Sequence, residues 1–545
     1  MTHAAALATD LGEITLAYHA RTKHRLDRYA AGPETLDWDM QPNPFREFEG
    51  CKRIALPLTA VPPGTRFTDI YAHGRVKPAA LSMGSISTFM ELSLGLSAWK
   101  QYGPDRWALR CNPSSGNLHP TEAYLLSSQV PGLEDGLYHY FCRDHALEQR
   151  FRRNGTLDDE KSPARLWIGL ASIYWREAWK YGERGFRYCQ LDIGHALGAL
   201  RYAAGMLGWT ARIVDQIEYE ELTALLGLDR IGDFLGAEQE EPDLLIAIDS
   251  DPATNLIGSL DRPCAAAARA CEWTGRANLL DPHPMYRWPV IEQVSLATRG
   301  EPEKERLHRL VYPPVPEIFE AHAASIIQNR RSAQRFDSKQ TMSAGTFFHM
   351  LDCLLDRPAA PWDIWAYIPR VHPIFFVHRV EGLEAGLYLL PRDPEALRAL
   401  RDTLNPDFIW QTLENAPAHL PLIKLMPGDC RSFARTVSCH QAIARDSCFS
   451  LGMLAEFEAI VKQNPWRYRQ LHWEAGLLGH VLYLEAEAAG LRGTGIGCYF
   501  DDVLHELLGM KSERFQSLYH FTVGFPLTDD RITTLPAYPG RSDHH

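Results

Sequence analysis

One stretch of this chain occurs twice, and that repeat limits the possible folds more than any other feature. Val130-Pro131-Gly132-Leu133-Glu134-Asp135-Gly136-Leu137-Tyr138 returns 250 positions later as Val380-Glu381-Gly382-Leu383-Glu384-Ala385-Gly386-Leu387-Tyr388. An apolar run precedes each copy, Ala123-Tyr124-Leu125-Leu126 and Ile374-Phe375-Phe376-Val377, and an Arg-Asp turn follows, Arg143-Asp144 and Arg392-Asp393. Apolar run, glycine turn and apolar run predict a strand hairpin in one sheet, present twice. A second echo, Arg187-Tyr188-Cys189-Gln190-Leu191 and Arg467-Tyr468-Arg469-Gln470-Leu471, is offset by 280. Each opens a long Ala/Leu/Gly segment of helical spacing, ending at Gly208-Trp209 and Gly490-Leu491. Small residues let helix backbones approach, so these helices are expected to be buried and closely packed.

With 545 residues the chain exceeds one ordinary domain. Between the copies, Arg299 to Pro316 carries a charged run, Glu301 to Arg309, and then Pro313-Pro314-Val315-Pro316, the composition of a linker. The boundary is placed near 315: residues 1–315 form copy one with an N-terminal extension, and 316–545 form copy two. A net charge of −12 without a basic stripe argues against a nucleic-acid or membrane-surface role. Met1 to Leu16 lacks a basic start and is interrupted by Asp10 and Glu13, so it does not read as a signal peptide. No apolar run reaches a membrane span. Eleven cysteines without a C-x-x-C pair suggest reduced thiols used as small core residues, and a cytoplasmic protein. Cys439-His440 with His472 has the wrong spacing for a known cluster, and no metal site is expected.

Four short runs carry chemistry. Pro113-Ser114-Ser115-Gly116-Asn117-Leu118-His119-Pro120 offers hydroxyls, an amide and flexible backbone, although composition alone makes it a surface turn. Lys180-Tyr181-Gly182-Glu183-Arg184 sets a lysine among aromatic and apolar neighbours, where its pKa would fall, or at a solvated helix end. Arg330-Arg331-Ser332-Ala333-Gln334-Arg335 gives bidentate donors suited to phosphate, or an exposed basic turn. Gly493-Thr494-Gly495-Ile496-Gly497-Cys498 imitates a dinucleotide fingerprint, but Cys498 stands where the third glycine belongs and a helix, not a strand, precedes it.

In this order the runs resemble those of the nitroreductase superfamily, most closely its SagB-type branch, which includes azoline dehydrogenases of peptide natural-product pathways. Tyr18-His19-Ala20-Arg21-Thr22-Lys23-His24 and Leu36-Asp37-Trp38 are similar to that branch as well. The resemblance implies an α+β fold: two fused units, each a central, mostly antiparallel sheet flanked by helices, related by a pseudo-two-fold axis. It implies FMN as cofactor, with Ser114, Ser115 and Asn117 at the pyrimidine ring and Arg330, Arg331, Ser332 and Gln334 at the phosphate and ribityl chain. Gly495, Ile496 and Gly497 would lie over the isoalloxazine, and Arg531, after Val523-Gly524-Phe525-Pro526, would reach the phosphate. Gln334 departs from the family, which has Arg or Lys there. Lys180 would remove a proton, assisted by Tyr181, as the flavin takes a hydride.

The intact runs are divided between the copies. At the 250-residue offset, Pro113–Pro120 falls on Asp363-Ile364-Trp365-Ala366-Tyr367-Ile368-Pro369-Arg370, which cannot be the same loop. At the 280-residue offset, Lys180 falls on Ile460, leaving copy two without a base. One composite FMN site and one decayed site are expected, in an intrachain pseudo-dimer. Three functions remain open: a dehydrogenase of a small-molecule or modified-peptide substrate such as an azoline, an NAD(P)H-dependent nitro or quinone reductase, or an idle member of a biosynthetic complex with a partner protein.

Overall fold

The computed structural model describes residues 3–59, 64–153, 164–215, 217–251, 265–300, 305 and 309–540. Met1 and most of the charged run Glu301 to Arg309 lie outside these. Two seven-stranded antiparallel sheets dominate. In spatial order the first runs Lys52–Ala55, Ala146–Arg152, Gly136–Phe141, Thr121–Ser128, Arg165–Ser172, Glu241–Asp249 and Thr210–Ile213. The second runs Gln411–Thr412, Ile423–Pro427, Gly386–Leu389, Val371–Val377, Phe449–Glu456, Phe515–Gly524 and Arg492–Ile496. From the third strand of each list onward, the order along the chain is the same.

The repeat is exact at the level of hydrogen-bond register. Leu125 faces Tyr138 and Leu126 faces Leu137 in the first hairpin; Phe375 faces Tyr388 and Phe376 faces Leu387 in the second. Both inner strands bulge at the same place, between Leu137 and Tyr138 and between Leu387 and Tyr388. Both tyrosine hydroxyls donate back to the turn, Tyr138 to the Glu134 carbonyl at 2.8 Å and Tyr388 to that of Glu384 at 2.6 Å. The copies part company at the Arg-Asp turn. Arg143-Asp144 leads directly into a strand, whereas Asp393 caps an inserted helix, Pro394–Thr403, by accepting the Glu395 N–H.

Both faces of each sheet are apolar, which explains runs without polar alternation. Ala123 and Leu125 pack into the core around the central helices, and Tyr124 and Leu126 into a separate cluster under helix Tyr219–Leu226. In the second sheet Val371, Phe375 and Val377 join the same central core, while Ile374 and Phe376 face an outer cluster. The central core therefore runs through both halves.

Its spine is a pair of 22-residue helices, Gly185–Met206 and Arg467–Ala488. They cross at Gly194 and Gly476. A methyl on Gly194 would collide with the Trp473 carbonyl, and one on Gly476 with the Leu191 carbonyl. Only hydrogen at these positions allows the backbones to touch. Gly476→Ala should therefore cost about 3 kcal/mol of overpacking, against about 1 kcal/mol of helix propensity gained. A lower denaturant midpoint would show it, and an unchanged midpoint would refute the close crossing.

These helices also correct the sequence register. They start at Gly185 and Arg467, and both end in left-handed glycines, Gly208 (φ 71°) and Gly490 (φ 70°). The structural offset is thus 282 rather than 280, so the Arg-Tyr-x-Gln-Leu echo is two residues out of register. The counterpart of Lys180 is Lys462, not Ile460. Lys462 is half exposed and pairs with Glu13 on the N-terminal helix His3–Arg21. That helix covers the place where a second lysine could have worked.

Candidate functional site

The principal cavity, of about 460 Å³, is shared by the two halves. The 113–117 loop forms one wall, the 330–334 segment and strand Arg492–Ile496 the other, and 526–534 the rim. Every proposed cofactor contact except Arg531 lines it: Ser114, Ser115, Asn117, Arg330, Arg331, Ser332, Gln334, Gly495, Ile496 and Gly497.

The loop is held open by its own bonds. Gly116 (φ 58°) and Asn117 (φ 60°) are both left-handed. Gly116 must lack a side chain because the Tyr181 hydroxyl occupies that space. The Asn117 amide donates to the Ala108 carbonyl at 2.9 Å, and its oxygen meets His119 Nε2 at 3.0 Å. Ser114 Oγ accepts the His119 N–H at 2.8 Å. Ser115 donates through N–H and Oγ to buried Asp192, at 3.1 and 3.2 Å. Burial raises the Asp192 carboxyl to about 7, opposed by those serine bonds. An acid whose pKa rises on folding stabilises least when ionised: stability falls as pH rises from 3.8 to about 7. Asp192→Asn should thus stabilise the protein above pH 7 and not below 3.8, measured as denaturant midpoints at both extremes. An equal effect at both would contradict the raised pKa.

The opposite wall is cationic. Arg330, Arg331, Arg492 and Lys100 line it together. Arg330 is buried, donates to the Arg110 carbonyl at 3.0 Å, and lies 5.1 Å over the Tyr483 ring. Arg331 reaches the carbonyls of Gln328, Arg330 and Ser97. Burial, with Arg330 and Arg492 beside it, lowers Arg331 to about 10; burial, Arg331 and Arg492 lower Lys100. The nearby carboxylate Glu487 stands 3.8 Å from Arg492. Crowded cations in a partly dry wall destabilise the empty site and favour an anion. Ser332 Oγ and the Gly495 N–H both bond the Tyr483 hydroxyl, at 2.8 and 2.9 Å, which ties the 330–334 segment to the glycine-rich strand.

Arg531 stands apart. Its side chain is 71% exposed and is held by Asp529 at 2.9 and 2.7 Å. Arg531→Ala should change retention of a bound anion less than about threefold, because an exposed, already paired charge contributes little. A larger loss, measured by dialysis, would bring Arg531 back to the anion.

Helix Tyr174–Tyr181 presents the lysine run. Tyr181 lines the cavity; Lys180 does not. The Lys180 Nζ lies 5.1 Å from the Trp38 ring centroid and 5.3 Å from that of Tyr181. Burial lowers its pKa. Trp38, quoted above for its place in the N-terminal stretch, thus faces the lysine. The next turn locks the halves together: Arg184 donates to Asp501 at 3.1 Å and to the Gly497 carbonyl at 3.2 Å, and Arg187 donates to Asp501 at 2.8 Å.

The fold is shared with a solved structure described as a nitroreductase. A solved structure from Anabaena variabilis, titled as a nitroreductase, superposes over 94% of this chain and 99% of its own, with a TM-score of 0.66 and 21% identity. A Methanocaldococcus jannaschii protein named as a nitroreductase is 31% identical over 136 residues, 22% of this chain and 65% of that one. The trifolitoxin-processing protein TfxB of Rhizobium leguminosarum bv. trifolii is 26% identical over 168 residues, 28% of this chain and 45% of that one. The chain therefore matches less than two thirds of either curated relative. No family model matches it.

Sequence reasoning missed Lys100, Arg492, Asp192 and His195 as cavity residues. Arg492 immediately precedes the glycine-rich run, and Asp192 and His195 stand inside a run read as plain helix. His195 is packed, with Nε2 3.0 Å from the Tyr519 hydroxyl, and it also lines the cavity. The corresponding place in the other half, beside edge strand Thr210–Ile213, encloses only about 40 Å³, with Tyr367, Trp466 and Arg299 in its walls. Tyr367 stands 250 positions after Asn117. The Asp363–Arg370 segment is spent on structure: Asp363 pairs with Arg201 at 2.6 Å, and Trp362 and Trp365 are buried.

Proposed function

We propose that this chain is an FMN-dependent oxidoreductase with one composite site per chain, made by two nitroreductase-like units, 1–315 and 316–545, about a pseudo-two-fold axis. The observation that carries the reading is the cationic wall of Lys100, Arg330, Arg331 and Arg492 in a cavity that the 113–117 loop, the rings of Tyr181, Tyr188, Tyr483 and Tyr519, and the carboxyl groups of Asp192 and Asp529 also line. A volume of about 460 Å³ is in the range of cofactor pockets. Buried polar atoms of its lining, Arg330 Nε, Tyr188 Oη and His195 Nδ1, have no hydrogen-bond partner among the described residues, as groups that meet a ligand do.

In this reading Arg330, Arg331, Lys100 and Arg492 hold the phosphate, while Ser332 and Gln334 face the ribityl chain. Ser114, Ser115 and Asn117 of the 113–117 loop, with the backbone of Gly495, Ile496 and Gly497, would hold the flavin ring. Bound FMN supplies a two-electron acceptor. Lys180 Nζ takes a proton from substrate seated between Trp38 and Tyr181, in its neutral form, which burial makes accessible below the usual lysine range. The Tyr181 hydroxyl, beside Gly116, orients the substrate. Partial likeness to a trifolitoxin-processing protein favours a substrate of the toxin-processing kind; in this reading it is a modified peptide such as an azoline, met in a cytoplasmic biosynthetic complex with a partner protein. Anaerobic bleaching of the flavin by an azoline-bearing peptide, without bleaching by NADPH, is the expected result. Bleaching by NADPH alone would instead make the chain a reductase.

A further inference from the structure

Two of the cysteines are not plain core residues. Cys498 closes the glycine-rich strand and lines the cavity, and Cys439 follows helix Arg431–Val437; both are partly exposed. Cys439 (φ 51°) and His440 (φ 59°) are left-handed, so the chain doubles back there. The Phe500 N–H donates to the Val437 carbonyl at 2.8 Å, and the Gln441 side chain donates to the Cys498 carbonyl at 3.1 Å. With 437 set against 500 and Gln441 held on the Cys498 carbonyl, the returning chain brings Cys439 beside Cys498.

The surroundings distinguish the two sulfurs. His24 Nδ1 accepts the Ala30 N–H at 2.9 Å, so the remaining ring nitrogen, Nε2, carries the proton and can donate to Cys498. Arg184, which bonds the adjacent Gly497 carbonyl, adds positive charge. The Cys439 thiol bond, followed by His24 and Arg184, draws Cys498 down to about 5 against the cost of burial; Cys439 is raised. Of the two sulfurs, Cys498 is thus the one that loses its proton more readily, and Cys439 the one that keeps it. Tyr29, Tyr181, Tyr188 and Asp501 are further titratable groups facing the pair.

We propose that Cys498 and Cys439 form an oxidation site for peroxides at the cavity rim, Cys498 reacting first and Cys439 closing a disulfide. The Cys498 sulfur attacks one oxygen of hydrogen peroxide, the O–O bond breaks, and hydroxide leaves, becoming water with the Cys439 proton. The Cys439 thiolate then attacks the sulfenic sulfur; the S–S bond forms, the S–O bond breaks, and the second hydroxide is protonated by solvent. The pair loses two electrons and one peroxide gains them. Closure would tie the glycine-rich strand to the 437–441 turn and stiffen one wall of the cavity. The inference needs only this geometry and does not depend on the flavin or the substrate.

The full-length protein is treated with hydrogen peroxide, digested without reduction and examined by mass spectrometry. A peptide linking Cys439 to Cys498 is expected. Cys439→Ser should stop at a Cys498 sulfenic acid trapped by dimedone, and Cys498→Ser should give neither product. Independently of any variant, iodoacetamide near pH 6 should label Cys498 roughly tenfold faster than the other half-exposed thiols, Cys51 and Cys271. Thiolate abundance favours Cys498 there by more than this, and its lower basicity gives part of the advantage back. No linked peptide in the wild type, or Cys51 or Cys271 oxidised before Cys498, would overturn the proposal.

Discussion

Lys180→Ala should lower substrate oxidation about 100- to 10,000-fold, the range for losing a general base, and leave the protein folded and coloured. The helix that carries Lys180 is anchored elsewhere: Arg176 is buried and bonds the His119 carbonyl at 2.7 Å, and Trp179 packs on Trp38. Lys180 forms no ion pair among the described residues, but its charge favours ionisation of buried Glu177, whose carboxyl burial and Asp192 raise, so Glu177 should stay protonated in the variant. The loss should fall on kcat, because proton removal takes place in the transition state. Lys180 works neutral, so the wild-type rate should rise with pH and level off below the ordinary lysine pKa of 10.5, while the variant keeps no such limb. Lys462→Ala, at the structural counterpart, should not change the rate. If both variants retain wild-type turnover, Lys180 is a half-buried surface residue and the proton leaves by another route.

The second large effect concerns the phosphate. Arg330→Ala and Arg331→Ala should each weaken FMN binding by about 1.5–3 kcal/mol, roughly 10- to 150-fold in Kd, the range for charge-assisted bonds. Riboflavin, which lacks the phosphate, should bind the wild type weakly and should be almost indifferent to Arg331→Ala. That comparison separates a lost phosphate contact from a damaged fold, since damage would weaken both ligands equally. Arg330 is the riskier variant because it is buried over Tyr483; Arg331 is the cleaner one because its partners are backbone carbonyls. Equal affinity for FMN and riboflavin in the wild type would mean that the cationic wall holds something other than this phosphate.

The hairpins were legible in the sequence because strand register and turn chemistry are local. The glycine pairs and the tyrosine that folds back to the turn repeat residue for residue, and the structure pairs them identically. The central helices were legible by composition but not by register. The Arg-Tyr-x-Gln-Leu echo is a coincidence of spelling: Arg467 opens its helix, whereas Arg187 stands two residues inside the other, and packing obeys the helix starts and glycine stops. The inserted helix Pro394–Thr403 was hidden because an Arg-Asp pair serves equally as a strand turn and as a helix cap. At the site, short motifs marked loops, and the structure gathers those loops into one cavity. Lys100 and Arg492 belong to no motif, since an electrostatic wall is assembled from distant strands, and Arg531 points to solvent although its neighbours line the rim. The cysteines looked interchangeable in the sequence; only the turn at Cys439 and the ring of His24 distinguish two of them.

The central claim is one composite flavin site in a duplicated fold. The most direct measurement is the flavin content of the purified, FMN-saturated chain: flavin released by denaturation, set against protein by amino-acid analysis. A chain with one cavity of about 460 Å³ and a counterpart of only about 40 Å³ should release one FMN. Two per chain would show that the second place opens to a ligand, and none after saturation would show that the cationic cavity does not bind flavin.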